Sequence, residues 1–262
     1  MTIKKLHLVY FSAANTTKRV MRQLAKELDI NATEEYNVTL AAPLTQIHIP
    51  TNELLVVGVP VYAGRVPSLA LSALNQLRGN NSPAIIVCVY GNRDYDDALL
   101  ELRDMVNDNG FKVVSAAAFV AQHSIFPEVA TSRPDEKDME ATTSFARACT
   151  DLLEKISDIT AVGISIKGNR PYKIPGKIPL YPKGDKKCNE CGTCISQCPA
   201  GAISSDNPRK TDKSKCISCT RCIVICPQHA RKFGGLIYRL ARKKFTSAYL
   251  TRKEPELIYP QL

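Results

Sequence analysis

The first 160 residues alternate between short apolar runs and stretches with helical periodicity. Ile3 to Tyr10 is an apolar run of the kind a strand buried on both faces shows, and Phe11-Ser12-Ala13-Ala14-Asn15-Thr16-Thr17 follows as a polar turn. Val20, Leu24 and Leu28 then recur every fourth residue, with Met21 and Ala25 beside them. Lys18, Arg22, Lys26 and Glu27 take the other faces, which predicts an amphipathic helix. The unit repeats. A weaker strand is expected over Tyr36–Ala41, and stronger ones over Leu54–Val59, Ala84–Val89 and Val113–Val120. Helical periodicity covers Ser68–Leu77, Tyr95–Asn109 closing at Gly110, and Asp135–Ile156. Strands alternating with helices need crossover connections, so the pattern predicts an α/β fold with a five-stranded parallel sheet covered on both faces. Ligands of such sheets sit at the carboxyl ends of the strands.

After residue 160 the texture changes. Gly168-Asn169-Arg170-Pro171-Tyr172-Lys173-Ile174-Pro175-Gly176-Lys177-Ile178-Pro179 is too rich in Pro and Gly for a regular element and reads as a linker over 161–185. A repeat follows, in which the segment opening at Cys188 returns at Cys216, an offset of 216 − 188 = 28 residues. The chain thus divides into a domain at 1–160, the linker, a small cysteine-rich domain at 186–230 and a basic tail at 231–262. In the tail, Arg231–Phe245 sets Leu236, Ile237, Leu240 and Ala241 against Arg239, Arg242, Lys243 and Lys244. This amphipathic pattern packs back on its own protein with a charged face in water, and it leaves open a weak contact with an acidic surface.

Composition narrows the function. With 44% apolar residues and no run near the ~18 that cross a bilayer, no transmembrane segment is expected. Met1-Thr2-Ile3-Lys4-Lys5 leads straight into a strand without the apolar core of a secretory signal, so the expected location is the cytoplasm. Ten cysteines in a reducing compartment are poor disulfide candidates, and eight of them fall between Cys188 and Cys226, which favours metal or cluster binding. The net charge of +10 is uneven: residues 1–160 hold 15 Lys/Arg against 19 Asp/Glu, and the remainder 20 against 6. An oxidised cubane cluster of about +2 on four thiolates adds about −2 to its surroundings, so many of these cations balance cofactors. No recognition motif accompanies the charge, and nucleic acid is not an expected partner.

Both cysteine segments read C-x2-C-x2-C-x3-C-P. They are Cys188-Asn189-Glu190-Cys191-Gly192-Thr193-Cys194-Ile195-Ser196-Gln197-Cys198-Pro199 and Cys216-Ile217-Ser218-Cys219-Thr220-Arg221-Cys222-Ile223-Val224-Ile225-Cys226-Pro227. The pattern resembles bacterial two-cluster ferredoxins, in which the fourth cysteine of each loop serves the other cluster. That resemblance implies one [4Fe-4S] cluster on Cys188, Cys191, Cys194 and Cys226, and a second on Cys216, Cys219, Cys222 and Cys198. Structural zinc would leave the third and fourth cysteines of each segment without a purpose. Cys88 and Cys149 lie outside the spacing and read as buried side chains.

The turn after the first strand offers backbone N–H groups, hydroxyls and a helix N-terminus to a phosphate, although a capping turn looks the same. Here Ser12, Ala13, Asn15, Thr16 and Thr17 resemble the phosphate loop T-x-T-G-x-T of the flavodoxin family. Ser12 and Thr17 match, Ala14 replaces a hydroxyl residue and Asn15 replaces glycine. Two further loops fall where that family contacts the flavin ring: Pro60-Val61-Tyr62-Ala63-Gly64-Arg65-Val66-Pro67 and Tyr90-Gly91-Asn92-Arg93-Asp94-Tyr95. The resemblance implies sheet order 2-1-3-4-5 and an FMN site built from Pro60, Val61, Tyr62, Ala63, Gly64, Gly91, Asn92, Arg93 and Tyr95. Tyr95 would stack on the ring and Tyr62 would flank its other face. His123 reads as a strand-end residue or a group near the flavin, and Arg133 stays outside the site.

The whole arrangement resembles flavodoxin/ferredoxin fusion proteins of anaerobic microbes. It implies an electron carrier in which FMN exchanges electrons with two [4Fe-4S] clusters and the clusters with external redox proteins, with no catalytic residue required. One alternative is an oxidoreductase reducing a small molecule or quinone at the FMN. Another is an assembly subunit with a vestigial flavin site. The chain has no G-x-G-x-x-G turn for a nicotinamide cofactor.

Overall fold

A computed structural model describes residues 1–40, 45–176 and 178–260. The apolar runs form β1 (Lys5–Tyr10), β4 (Glu53–Pro60), β6 (Ser82–Tyr90) and β7 (Phe111–Val120). Between them in the chain come α1 (Thr16–Leu28), β2 (Thr33–Asn37), β3 (Ile47–Ile49), α2 (Ser68–Leu74), β5 (Leu77–Gly79) and α3 (Ala98–Asp108), and α4 (Glu136–Lys155) follows β7. β2, β1, β4, β6 and β7 lie side by side in that order, all parallel. Counting only these strands along the chain gives 2-1-3-4-5, the flavodoxin-like order, whose direction reverses between β1 and β4.

Period-2 alternation sorts the strands between two cores. Val9, Val57, Ile86 and Ala118 face a core closed by Leu74 of α2 and by Leu99 and Leu102 of α3. Leu8, Val56, Val87 and Phe119 face the other, closed by Val20 and Leu24 of α1 and by Phe145 and Cys149 of α4. Central strands covered on both sides have no room for polar positions, hence their near-continuous apolar sequence.

The structure corrects the expected strand at Tyr36–Ala41. The pairing strand is β2, four of whose five residues are exposed, and Ala41 lies outside the described residues. Glu34 pairs with Lys5 across β1, and Glu35 takes Arg22 and the Tyr10 hydroxyl. An edge strand of this kind is held by charge and backbone pairing, so hydrophobicity does not mark it. Leu77, expected at a helix end, instead opens β5, which pairs with β3 in a small second sheet.

The C-terminal part contains β8 (Lys183–Gly184), α5 (Thr193–Ser196), α6 (Arg221–Val224), β9 (Arg231–Lys232), α7 (Leu236–Ala248) and β10 (Glu256–Ile258). β8 and β9 pair antiparallel. β10 returns to the large sheet and pairs antiparallel with β7 through Ala116, Ala117 and Ala118, so the sheet has six strands rather than the five expected. The alanine-rich β7 would otherwise present an open edge, and β10 covers it.

The chain between α4 and β8 is tied down. Asp97 accepts hydrogen bonds from the backbone N–H of Asn169 and Lys173, at 2.8 and 2.6 Å. The Tyr172 hydroxyl donates to Asp104, and Ile164, Ile166 and Leu180 are buried.

α4 begins on a reciprocal cap in which Asp135 accepts from Asp138 N–H and Asp138 accepts from Asp135 N–H. The Asp138 carboxylate is paired with Arg133, whose Nε lies 2.8 Å away, and both side chains are buried. Removing Arg133 leaves the buried Asp138 carboxylate with only Arg252, at 3.5 Å, as a cationic partner. Arg133→Met is expected to lower the unfolding free energy by about 3 kcal/mol in urea titrations, and a loss below about 0.5 kcal/mol, the level of an ordinary surface change, contradicts that role.

Candidate functional site

The loops after β1, β4, β6 and β7 meet at the carboxyl ends of the parallel strands and wall two adjoining cavities. The smaller, about 60 Å³, is lined by Ala13, Ala14, Thr16 and Thr17 of the first loop, by Pro60, Val61 and Tyr62, by Gly91, and by Gln122, His123 and Ser124. Asn15 takes φ 66° at the N-cap of α1, the left-handed conformation that asparagine tolerates better than most residues. Ser12 lies behind the wall: its hydroxyl accepts from Lys18 N–H at 2.9 Å, and its own N–H donates to Thr39 Oγ1 at 2.8 Å. Ser12 and Asn15 therefore shape the loop, while their neighbours line it.

The larger cavity, about 650 Å³, shares Val61, Tyr90, Gly91 and His123 with the smaller. Ala63, Gly64 and Arg93 extend its wall. The linker contributes Lys173, Ile178 and Leu180, and α7 roofs it with Ala241, Lys244, Phe245 and Ala248. Gly91 is required here, because a Cβ on it would lie 2.6 Å from the His123 ring. A mostly apolar slot joined to a polar loop at a helix N-terminus fits a flat heterocycle carrying a phosphate.

Two residues expected to contact the ring lie away from both cavities. Tyr95 is 1% exposed and lines neither cavity. Its hydroxyl donates to Glu256 of β10 at 2.6 Å, its ring meets Tyr90 edge-on at 5.6 Å, and the Lys167 ammonium sits 4.1 Å from its centroid. The added strand supplies Glu256 and draws the tyrosine into the core. Asn92 also turns away: its Nδ2 donates to the carbonyls of Tyr249 and Thr251 at 2.8 Å and its Oδ1 accepts from Lys253 N–H, so it clamps the tail. The aromatic side chains that line the large cavity are Tyr90, His123, Phe126, Phe245 and Tyr249. His123 lies 5.2 Å from Phe126 and 4.5 Å from Phe245, and Phe245 lies 4.6 Å from Tyr249. Sequence reasoning offered His123 here but not Phe126, Phe245 or Tyr249, because the tail stripe expected to pack was Leu236, Ile237, Leu240 and Ala241, of which only Ala241 turns inward.

His123 Nδ1 accepts from the N–H groups of Ile125 and Phe126, at 3.2 and 3.1 Å, so the neutral ring carries its proton on Nε2. Burial, helped by nearby Arg93, pushes its pKa from 6.5 down to about 4.

The cysteines form two rings. Cys188, Cys191, Cys194 and Cys226 line one cavity, and Cys198, Cys216, Cys219 and Cys222 line another. Among the described residues no three His, Cys, Asp or Glu side chains converge on a point that a single ion would fill. Sulfurs ringing a void fit a polyatomic core such as a cubane. Backbone N–H groups of Ala202 and Ala230 point at Cys198 and Cys226 Sγ, each at 3.3 Å, and Thr193 Oγ1 is 3.4 Å from Cys191 Sγ. Burial pushes the Cys219 thiol up to about 12 and raises Cys194, Cys216 and Cys222, while the Thr193 hydroxyl lowers Cys191. Ligation of such thiols releases protons. Arg231, 2% exposed, is the buried cation beside both rings, with Nη1 4.0 Å from Cys194 Sγ; its charge also lowers Cys222 against the effect of burial. Its Nη groups bond the carbonyls of Pro182 and Pro208 and the Thr211 hydroxyl, but its Nε has no partner among the described residues. Nothing in the cysteine spacing marks it. Cys88 and Cys149 are buried in the α/β cores and line neither cysteine cavity.

The second ring abuts the strand ends. Cys219 and Ile217 pack in the same apolar core as Phe11, Ala13 and Tyr62. Arg221, held by Gln197 O at 2.9 Å and Gln197 Oε1 at 2.6 Å, brings Nη1 to 3.5 Å from the Ala13 carbonyl. Cys191 of the first ring is exposed.

Residues 187–231 match the family model of the 4Fe-4S dicluster domain. The chain thus joins a flavodoxin-like α/β unit to a domain of that kind. Over 45 residues it is 49% identical to an uncharacterized protein of Methanocaldococcus jannaschii, a match that takes in 17% of this chain and 21% of that protein. The chain therefore spans about a fifth of the length of the curated relative it matches. Among solved structures it is similar to oxidised flavodoxin 1 of Bacillus cereus, at 15% identity over 58% of this chain and 99% of that one, with a TM-score of 0.42. It is also similar to the rubredoxin oxygen:oxidoreductase of Desulfovibrio gigas, at 13% identity over 60% of this chain and 38% of that one, with a TM-score of 0.44. None of the described helices is long and apolar enough to cross a membrane.

The histidine yields a pH prediction. Because its folded pKa lies below the unfolded value, its contribution to stability is complete above pH 6.5 and is lost as the pH falls toward about 4. In an NMR titration the His123 imidazole is expected to stay neutral to about pH 4, and a midpoint at 6.5 contradicts the burial argument.

Proposed function

We propose that this protein is an electron carrier holding FMN at the strand ends and one [4Fe-4S] cluster in each cysteine ring. The observation that carries the reading is the position of Tyr62, which lines the cavity proposed for the flavin and also shares a cleft with Cys216, Ile217 and Ser218 of the second ring's loop. When bound, FMN supplies chemistry in one- or two-electron steps, and each cluster accepts or gives a single electron. Thr16, Thr17 and the N–H groups opening α1 hold the phosphate, and Val61, Gly91, Phe126 and Phe245 enclose the ring and exclude water. His123 offers its Nε2–H to the ring as a hydrogen-bond donor.

The order of transfer follows from burial. The ring of Cys198, Cys216, Cys219 and Cys222 is the flavin-side site, and the ring with exposed Cys191 is the side that meets an external redox protein. Arg221 ties the flavin-side ring to the phosphate loop through Gln197 and Ala13. Arg231 offsets the negative charge that both rings gain on loading and reduction, which raises their potentials.

Anaerobically purified protein is expected to contain about eight irons, matching sulfide and one FMN per chain. Half that iron, or zinc in its place, contradicts the two-cluster reading. Full iron without flavin, and without uptake of added FMN, contradicts the flavin assignment alone.

A further inference from the structure

α7 carries two apolar stripes. Tyr238, Ala241 and Phe245 turn inward onto Ile125, Phe126 and Leu180. Leu236, Ile237 and Leu240 lie on the other side of the helix at i, i+1 and i+4, and they are 62%, 67% and 63% exposed. Leu250, just past the helix, is exposed as well. These four are half of the eight large apolar side chains that the described residues expose.

The charge around the outer stripe has one sign. Arg231 to Lys253 includes eight Lys/Arg and no Asp/Glu. Arg242 and Arg252 are neutralised by Glu128 and Asp135 from elsewhere in the chain. Arg239 and Lys243 are exposed and form no ion pair among the described residues, and both flank the stripe.

An apolar ridge edged by cations fits a surface that offers hydrocarbon beneath negative charge, with the long cationic stems reaching back to the headgroups. A ridge three side chains wide is much smaller than the ~800 Å² per partner that a stable protein interface takes. We propose that the outer face of α7 is a membrane-surface contact. It seats reversibly in the headgroup layer of an anionic bilayer, with Leu236, Ile237 and Leu240 inserted and Arg239 and Lys243 on lipid phosphates. This contact stands independently of the cofactor assignment.

The test sediments the full-length protein with vesicles of phosphatidylcholine alone and of phosphatidylcholine mixed with phosphatidylglycerol. Binding to the mixed vesicles, weakened by salt and about tenfold or more weaker on phosphatidylcholine alone, is expected. The double variants Leu236→Ser/Leu240→Ser and Arg239→Glu/Lys243→Glu are each expected to lower binding by about tenfold or more. Both should retain the circular dichroism and iron content of the parent, since the altered side chains are exposed. Equal binding to the two vesicle types, no binding to either, or binding untouched by both variants overturns the proposal. So does a dimer in light scattering that Leu236→Ser/Leu240→Ser dissociates, since the stripe would then be an interface between copies.

Discussion

Cys198 and Cys226 each leave the loop that carries them and complete the other ring. Neither loop can close a four-sulfur cavity alone, so the two halves of the small domain are interdependent before any packing is counted. Little packing is available: its buried apolar side chains amount to Ala202, Ile203, Ala230 and the sulfurs of Cys194 and Cys219. A domain of this size without a core draws its folding free energy from what its ligands bind. On the proposed reading, the crossing makes cluster assembly and folding one event, and the rest of the architecture depends on that rigid insert.

The larger unit receives the insert at the ends of its parallel strands. Ile217 and Cys219 complete the α2/α3-side core near Tyr62, and Arg221 reaches the phosphate loop. The chain on either side of the insert is fixed to the same unit. Asp97 holds the segment before it, and Asn92, Arg133 and β7 hold the segment after it, through Lys253 and β10. The larger cavity thus has walls from the sheet loops, the linker and α7, and it exists only when all three are in place. Charge follows the same logic. On the proposed reading, Arg231 lies buried beside both rings, where loading would bring negative charge, and its Nε has no hydrogen-bond partner among the described residues.

Features set by local spacing were legible in the sequence. The two cysteine segments specify their own loops, and the apolar runs of β4, β6 and β7 mark strands covered on both faces. The same holds for the turn after β1, whose Thr16 and Thr17 do line a cavity. What was not legible depended on which distant segment arrives at a given place. Tyr95 sits where a ring-stacking residue was expected, but Glu256, 161 residues away, takes its hydroxyl and holds it in the core. Asn92 is spent on the tail for the same reason. β2 was placed too late in the chain, at Tyr36–Ala41, because an edge strand paired by Glu34 and Glu35 has no hydrophobic signature, and β10 went unrecognised because three residues of a basic tail carry too little pattern to announce a strand. The tail's amphipathic helix was visible, but its packing face was not: of Leu236, Ile237, Leu240 and Ala241, the stripe expected to pack back, only Ala241 turns inward, beside Tyr238 and Phe245, and the other three are exposed.

The central claim is that two interleaved sulfur rings each enclose a cubane, close enough for their spins to interact. Low-temperature EPR of the dithionite-reduced protein tests it most directly. The account predicts a complex, spin-coupled spectrum that integrates to about two spins per chain, one for each reduced cluster. A silent spectrum from protein that contains no iron would contradict it, as would the simple signal of one isolated cluster.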